Sequence, residues 1–432
     1  ALKLQNAAAA TYNVAVGYYA GQAVSTGVKN TIIGGLAGDV ITTGNYNVAL
    51  GYFALSAATD SDYNVAIGVE SLAQNVLGSK SIGIGWRALY AQNPASAVDM
   101  YNVAIGHSTG AAITTGINNT LVGGLAGDAL TTGTSNVAIG KSALGTEDEH
   151  DANVAIGDHA LSTLNAGADG YNVAVGYYAG QAMSTAVRST LIGGRAGDAI
   201  TTGNDNVALG YDSLSANTIG NTNVALGTQS MLTNVAADRN VAVGYQSLYS
   251  MTSATTLDTY HTAIGYYTGR NITSGVQNTL IGGLAGDALT TGSENVALGY
   301  LALSTEDTGG RNIAIGLGTL QNLNYNGTGY NIAIGYEAGN DITTGVRNTI
   351  IGSLAGDALT TGGYNVAIGY VALGTEDTGG RSVAIGYAAL GLQNYPGDAY
   401  NIAIGYSSGS QISTGVNNVI IGGQAGDAIT TG

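Results

Sequence analysis

The sequence predicts an all-β fold, a β-solenoid in the form of a parallel β-roll with about 24 coils. The first observation is a five-residue segment, Asn-Val-Ala-Val-Gly at 13–17, whose glycine recurs 24 times along the chain, mostly at intervals of 17 and otherwise of 19 or 21. The second is that this segment has the length of an ordinary strand, whereas a helix would place apolar residues at a period near 3.6. The third is the short period itself, because helical solenoids need repeats of about 33 residues or more.

The positions of each coil are numbered here from this glycine, which is position 0. Position −1 is always Val, Ile or Leu, and position −3 is always Val, Ile or Thr. Position −4 is Asn in 20 coils, so we expect stacked Asn side chains to form a hydrogen-bonded ladder. A second short strand is expected near each Thr-Thr-Gly segment. The repeat residues singled out as structural are Asn13, Asn102, Gly17, Gly34, Gly106, Gly176, Gly265, Gly335 and Gly405.

Position +4 sorts the coils into two kinds, called here Gly-type and Leu-type coils. Two Gly-type coils open each block and Leu-type coils follow, which gives blocks of five, four, five, four and four coils and two final coils. The second coil of every block has Ile or Leu at position −2, where other coils have a small residue, and this predicts a different local packing. The same coils carry a signature aspartate at position +5, namely Asp39, Asp128, Asp198, Asp287, Asp357 and Asp427.

The repeat also predicts the domain organisation. We expect residues 1–11 to form a lead-in segment and residues 12–432 to form one continuous array, with blocks that start near residues 12, 101, 171, 260, 330 and 400. Because the last residues stop in the middle of the repeat pattern, we expect the array to belong to a longer chain.

Composition argues against several classes of function. The net charge is −16 with 12 basic residues and no basic cluster in the sequence, which predicts no binding of nucleic acid. No apolar run approaches the roughly 18 residues of a membrane span, so we expect no membrane insertion. Cysteine is absent, which excludes disulfides and thiolate metal sites. We therefore expect no catalytic residue, no metal and no cofactor.

Tyrosine is the prominent aromatic residue, with 27 copies that often stand at positions +1 and −5. Exposed rows of tyrosine can stack on sugar rings, but packing between coils or between chains is their more ordinary role. The candidates for surface contact are Tyr18, Tyr177, Tyr266, Tyr336 and Tyr406.

Acidic residues offer two further candidates. The segments 147–151, 306–307 and 376–377 would support glycoside chemistry only if two carboxylates were held at a defined separation. They lie in parts of the repeat that vary between blocks, which favours solvated loops. One signature aspartate per coil supplies few of the roughly six to eight oxygens that Ca²⁺ prefers, so a turn or interface role is expected. The four histidines are scattered, and His261, which replaces a ladder Asn, is expected to be structural.

The pattern Asn-Val-Ala-Ile-Gly-Tyr-x-Ala-Leu followed by Thr-Thr-Gly covers the chain from about Tyr12 to Gly432. It resembles the head repeat of YadA-type trimeric adhesins and, more closely, the related repeats in tail-fibre-like proteins of marine bacteriophages. The resemblance implies a left-handed parallel β-roll in which three chains associate around one axis. The length of the coil is a departure, because heads of that family usually have shorter coils.

These observations predict a protein that works by shape and surface and is not an enzyme. We expect the structural fibre shaft of a phage tail fibre or a similar appendage, which spans distance and supports host attachment on a virion or at the cell surface. The alternative is a bacterial trimeric surface adhesin or a secreted extracellular filament that binds matrix or cells. A homotrimer is expected in either case, with a cell-surface glycan or a protein receptor as the partner.

Overall fold

The computed structural model describes residues 1–6, 10–252 and 255–432. These residues form strands, turns and bends without a helix, so none of them belongs to a helix that is long and apolar enough to cross a membrane. The chain divides into two compact units, Ala1–Ile219 and Gly220–Gly432. In the described part of the chain each unit is a parallel β-solenoid with twelve three-residue strands. The predicted fold class, an all-β solenoid with about 24 coils, is confirmed.

The strands of both units are short, and each coil contributes one three-residue strand. Unit 1 contains β1 (Val14–Val16), β2 (Thr31–Ile33), β3 (Val48–Leu50), β4 (Val65–Ile67), β5 (Gly78–Ser79), β6 (Ile82–Ile84), β7 (Val98–Asp99), β8 (Val103–Ile105), β9 (Thr120–Val122), β10 (Val137–Ile139), β11 (Val154–Ile156), β12 (Val173–Val175), β13 (Thr190–Ile192) and β14 (Val207–Leu209). Unit 2 contains β15 (Val224–Leu226), β16 (Ala237–Asp238), β17 (Val241–Val243), β18 (Leu257–Asp258), β19 (Thr262–Ile264), β20 (Thr279–Ile281), β21 (Val296–Leu298), β22 (Ile313–Ile315), β23 (Ile332–Ile334), β24 (Thr349–Ile351), β25 (Val366–Ile368), β26 (Val383–Ile385), β27 (Ile402–Ile404) and β28 (Val419–Ile421).

The strands pair in parallel in the register that the repeat dictates. Val14 of β1 pairs with Thr31 of β2, the residue at the same position of the next coil. In a longer coil the register is unchanged, since Ile82 of β6 pairs with Val103 of β8. The additional residues are therefore accommodated in the turns, and every strand keeps the same side chains inward.

A second strand in every coil was expected, and this expectation is wrong for most of the described coils. Within residues 1–6, 10–252 and 255–432, two-residue strands occur only in the pairs β5–β7 and β16–β18, with isolated bridges at Gly310–Thr328 and Gly380–Asp398. Elsewhere the Thr-Thr-Gly segment is a turn in which three backbone N–H groups, those of residues 42, 43 and 44, donate to the single carbonyl of Thr59. Donors that converge on one acceptor cannot form the evenly spaced bonds of a parallel ladder.

The Asn ladder at position −4 is confirmed, and its bonds run mainly from side chain to backbone. Asn30 is buried, and its Nδ2 donates to the carbonyl of Gly44 at 2.9 Å. Its Oδ1 accepts the backbone N–H of Asn47, the ladder residue of the next coil, also at 2.9 Å. One amide thus closes its own coil and holds the following one, which explains why nearly every coil needs Asn at this position.

The repeat glycine is required where coils stack. Gly34 has φ of 136°, and a Cβ on it would lie 2.4 Å from the carbonyl oxygen of Gly51 in the next coil. No side chain fits there unless the stacked backbones separate. Position 0 therefore tolerates only glycine wherever another coil follows.

Candidate interaction surface

The outward side chains at positions −3 and −1 form an exposed face on each unit, called here the strand face. In β10 the middle residue, Ala138, is buried, whereas Val137 and Ile139 on either side of it are partly exposed. Val16 in unit 1 is 58% exposed and Leu298 in unit 2 is 41% exposed. Position −1 is apolar in all 24 coils. Soluble monomers rarely expose long contiguous apolar patches, so the strand face is a candidate interaction surface.

The tyrosines at position +1 directly follow the strand face and are exposed, as the five candidates illustrate. The rings of Tyr370, Tyr387 and Tyr406 stack in three successive coils, with centroids 5.5 and 5.1 Å apart. Within one coil the ring of Tyr18 lies 4.1 Å from that of Tyr19. The rings therefore contact one another along the stack and still present a surface. The candidates Tyr18, Tyr177, Tyr266, Tyr336 and Tyr406 are all about half exposed or more.

A second exposed column lies at position −5, where the sequence had indicated the tyrosines but not the basic residues. Its cations are far apart along the chain, so the sequence shows no basic cluster, yet seven of the 12 basic residues occupy this one position of the coil. Aligning the coils at position −5 would have revealed this. These residues are Lys29, Lys80, Arg188, Arg239, Arg311, Arg347 and Arg381.

The acidic segments contain a correction. Glu147, Glu306 and Glu376 are fully buried, so the prediction of solvated loops is wrong for these three side chains. Glu306 accepts the backbone N–H groups of Asp307 at 3.1 Å and Gly309 at 2.8 Å, and burial raises its pKa. The carboxylates therefore accept backbone N–H groups of their own turns, which is a structural role.

One group of potential metal ligands occurs in the described residues, where side-chain atoms of Glu147, Asp148 and His150 lie within 4.8 Å of one another. Nδ1 of His150 lies 2.8 Å from Oε1 of Glu147, so two of the three groups are hydrogen-bonded to each other. The same carboxylate oxygen accepts the backbone N–H groups of both other residues. Treating the histidines as scattered missed this contact, which belongs to the turn.

The signature aspartates lie one block apart and do not converge. Burial raises the pKa of Asp39, Asp128, Asp198, Asp287 and Asp357, whereas Asp427 in the last coil is exposed. Asp198 forms an ion pair with Arg195 at 3.2 Å. Each of the first five blocks thus holds one partly buried signature aspartate, in its second coil.

His261 replaces a ladder Asn and reproduces both of its hydrogen bonds. Its Nε2 lies 2.7 Å from the carbonyl of Gly275, and its Nδ1 accepts the backbone N–H of Asn278 at 3.3 Å. This geometry needs a neutral ring with the proton on Nε2. Burial lowers the pKa of His261 to about 4, which keeps the ring neutral.

In two of the three coils with serine at position −4, a buried glutamine that was not predicted from the sequence compensates for the short side chain. Ser81 donates from its hydroxyl to Oε1 of Gln92 at 3.2 Å, and Nδ2 of Asn102 donates to the same oxygen at 3.1 Å. Gln393 also bridges a serine and a ladder Asn, but its Nε2 donates to Oγ of Ser382 at 2.9 Å while its Oε1 accepts from Nδ2 of Asn401 at 2.8 Å. In both places the glutamine lies in a coil with more than 17 residues. Its side-chain amide supplies the hydrogen bonds that the short serine side chain cannot make.

No family model matches the chain, and no curated protein matches it either. The resemblance to YadA-type heads and to phage tail-fibre repeats rests on the repeat residues themselves.

Proposed function

We propose that this protein is a structural fibre element, the shaft of a phage tail fibre or a similar virion or cell-surface appendage, assembled from three copies of the chain. The observation that carries this proposal is the strand face, an apolar surface repeated in every described coil of both units. Burying apolar area contributes about 25 cal/mol per Å². Because each coil adds its outward pair in the same geometry, even a small buried area per coil accumulates over the whole array.

The copy number of three follows from the resemblance, which implies a homotrimer, and the apolar strand face supports a closed assembly. A closed cyclic assembly covers the same face on every copy, whereas an open arrangement would leave apolar edges exposed. The buried side chains that could take part in acid–base chemistry form hydrogen bonds with backbone groups of their own coils. They are Glu147, Glu306, Glu376 and His261. They support a mechanical role in which the fibre spans distance and supports host attachment.

The test places a charge on the strand face of each unit. The double variant Ile139→Glu with Ile351→Glu puts two carboxylates where apolar contacts are proposed. We expect light scattering to give three chains for the unaltered protein and a predominantly dissociated species for this variant. The matched control is Thr132→Glu with Thr344→Glu, which adds the same charges at exposed positions outside the face and should leave three chains. If the control dissociated as much as the strand-face variant, the contact between copies would not be specific to the strand face.

The site of the appendage needs a separate measurement. Antibody labelling in electron micrographs is expected to decorate virions. Labelling confined to bacterial surfaces or to secreted filaments would support the alternative of a trimeric adhesin or an extracellular filament.

A further inference from the structure

Arginine and tyrosine alternate at position −5 over six successive coils of unit 2. The strands of these coils, β22–β27, stack in parallel without interruption. We call this column the Arg–Tyr stripe. Its members, in stacking order, are Arg311, Tyr330, Arg347, Tyr364, Arg381 and Tyr400.

Contacts along the stripe hold the cations in place. The guanidinium of Arg347 lies between two rings, 5.7 Å from the centroid of Tyr330 and 5.3 Å from that of Tyr364. Arg381 lies between Tyr364 and Tyr400, at 4.7 and 5.9 Å. Stacking on aromatic faces fixes long side chains that would otherwise sample many rotamers. The stripe is therefore pre-organised, although its rings remain about half exposed.

The charge of the stripe is incompletely neutralised. Arg311 and Arg381 form exposed ion pairs with Glu294 and Asp398, both at 2.7 Å. Arg347 has no carboxylate within ion-pair distance among the described residues and donates to the hydroxyl of Tyr364. Exposed ion pairs contribute little, about 1 kcal/mol or less, so an external anion can replace their carboxylates.

The spacing of the cations identifies a class of ligand. Successive arginines lie two coils apart, which corresponds to about 10 Å at the usual strand separation. That is close to the length of one disaccharide in an extended polysaccharide, and a half-exposed tyrosine lies between each pair of charges. A guanidinium donates well to carboxylate or sulfate oxygens, and the edge and hydroxyl of a tyrosine can contact a sugar.

We propose that the Arg–Tyr stripe binds an extended acidic polysaccharide that carries one carboxylate or sulfate per disaccharide. Each anion contacts one arginine, and the sugar between two anions packs against the exposed edge of the intervening tyrosine, whose faces are covered by the arginines on either side. The stripe gives the array a binding activity of its own. This activity does not depend on the trimer, although three copies would raise the avidity.

The experiment uses the full chain and labelled oligosaccharides of defined length, with binding followed by fluorescence polarisation. Hyaluronan oligosaccharides carry one carboxylate per disaccharide, whereas oligogalacturonates carry one per monosaccharide. We expect hyaluronan to bind more tightly than oligogalacturonate of equal length, and affinity to rise until the oligosaccharide spans three arginines. Neutral dextran should not bind.

Variants locate the site. Arg347→Gln removes the unpaired cation and should weaken hyaluronan binding about tenfold or more, the expected effect of losing a charge-assisted hydrogen bond. The matched control is Arg188→Gln in the same column of unit 1, where the next coil has Asp205 in place of a tyrosine. This control should bind hyaluronan as the unaltered protein does. Light scattering on both variants should show an unchanged number of chains, which separates this proposal from the proposed assembly.

Several results would overturn the proposal. Absence of hyaluronan binding, or equal affinity for oligogalacturonate, would contradict the match in spacing. Equal loss of binding in the two variants would place the site elsewhere. Tighter binding of single-stranded oligothymidylate than of hyaluronan would show that the stripe recognises a nucleic acid.

Discussion

Gly-type pairs and Leu-type coils fill their interiors with large side chains at different positions of the coil. In the Gly-type pair of the second block, Leu121 at position −2 occupies the space beside two glycines. Its methyl carbons lie 2.8 and 3.0 Å from the places where Cβ atoms of Gly110 and Gly127 would stand. In a Leu-type coil position −2 is small, and a buried leucine at position +4, such as Leu144, fills the interior. The predicted difference in packing is therefore confirmed.

The two coil types also differ at position +7, and this difference shows where the array tolerates variation. Gly-type coils place a buried aliphatic residue there, such as Ile113 or Leu130. Leu-type coils often place a buried polar residue, such as Glu147, Gln92 or Glu306, which binds the backbone of its turn or a neighbouring ladder side chain. Position +7 therefore accepts both polar and aliphatic residues in Leu-type coils, where all the insertions also occur, whereas it is apolar in every Gly-type coil.

The most damaging way to break this comparison is to convert one coil type into the other. Gly127→Leu would force a side chain against Leu130 and Leu121 and should destabilise unit 1 by about 4 kcal/mol, since overpacking and left-handed backbone strain add. Adding Leu121→Ala opens the space and should restore at least half of the loss. Urea denaturation of the single and double variants measures both effects. If the two changes in the free energy of unfolding simply added, the side chains at positions 121 and 127 would not compete for the same space.

The ladder that both coil types share can be tested with pH. The folded pKa of His261, about 4, lies below its ordinary value of 6.5. The contribution of this ring to stability is therefore complete above pH 6.5 and is lost as the pH falls from 6.5 through 4. The loss should reach about 3 kcal/mol well below pH 4. His261→Asn should abolish this part of the acid sensitivity in hydrogen exchange of unit 2, and an unchanged pH profile would contradict the assignment.

A smaller effect should sharpen the account of the Leu-type coils. Gln92→Leu would leave the hydroxyl of Ser81 and one donor of Asn102 without their partner, at a cost of about 1–2 kcal/mol. Combining it with Ser81→Asn supplies a ladder residue of normal length and should recover most of the stability in urea denaturation. If the double variant were as unstable as Gln92→Leu, the glutamine would act through packing alone.

Much of the fold could be predicted from the sequence because position and period are so tightly coupled. A glycine that recurs at a nearly constant interval and an invariably apolar position −1 define the coil, the strand and its register. The ladder followed from Asn at position −4 for the same reason. The lack of a second strand in most of the described coils could not be predicted, because Thr-Thr-Gly is compatible with both a strand and a converging turn.

The candidate surface was predictable only in part. The apolar face follows from the alternation of inward and outward residues, and the exposed tyrosines follow from position +1. The buried state of Glu306 and Glu376 was missed because an acidic residue in a variable segment is usually solvated. The Arg–Tyr stripe was missed because its contacts join residues of different coils, such as Arg347 and Tyr364, which become neighbours only when coils stack.

The most direct test of the proposed assembly is the mass of the unaltered protein in solution, measured by light scattering over a range of concentrations. If three copies cover one another's strand faces, the mass should be three times that of the 43.0 kDa chain and should not change on dilution. A stable species with the mass of one chain at every concentration would contradict the account, because the strand face would then remain exposed to water.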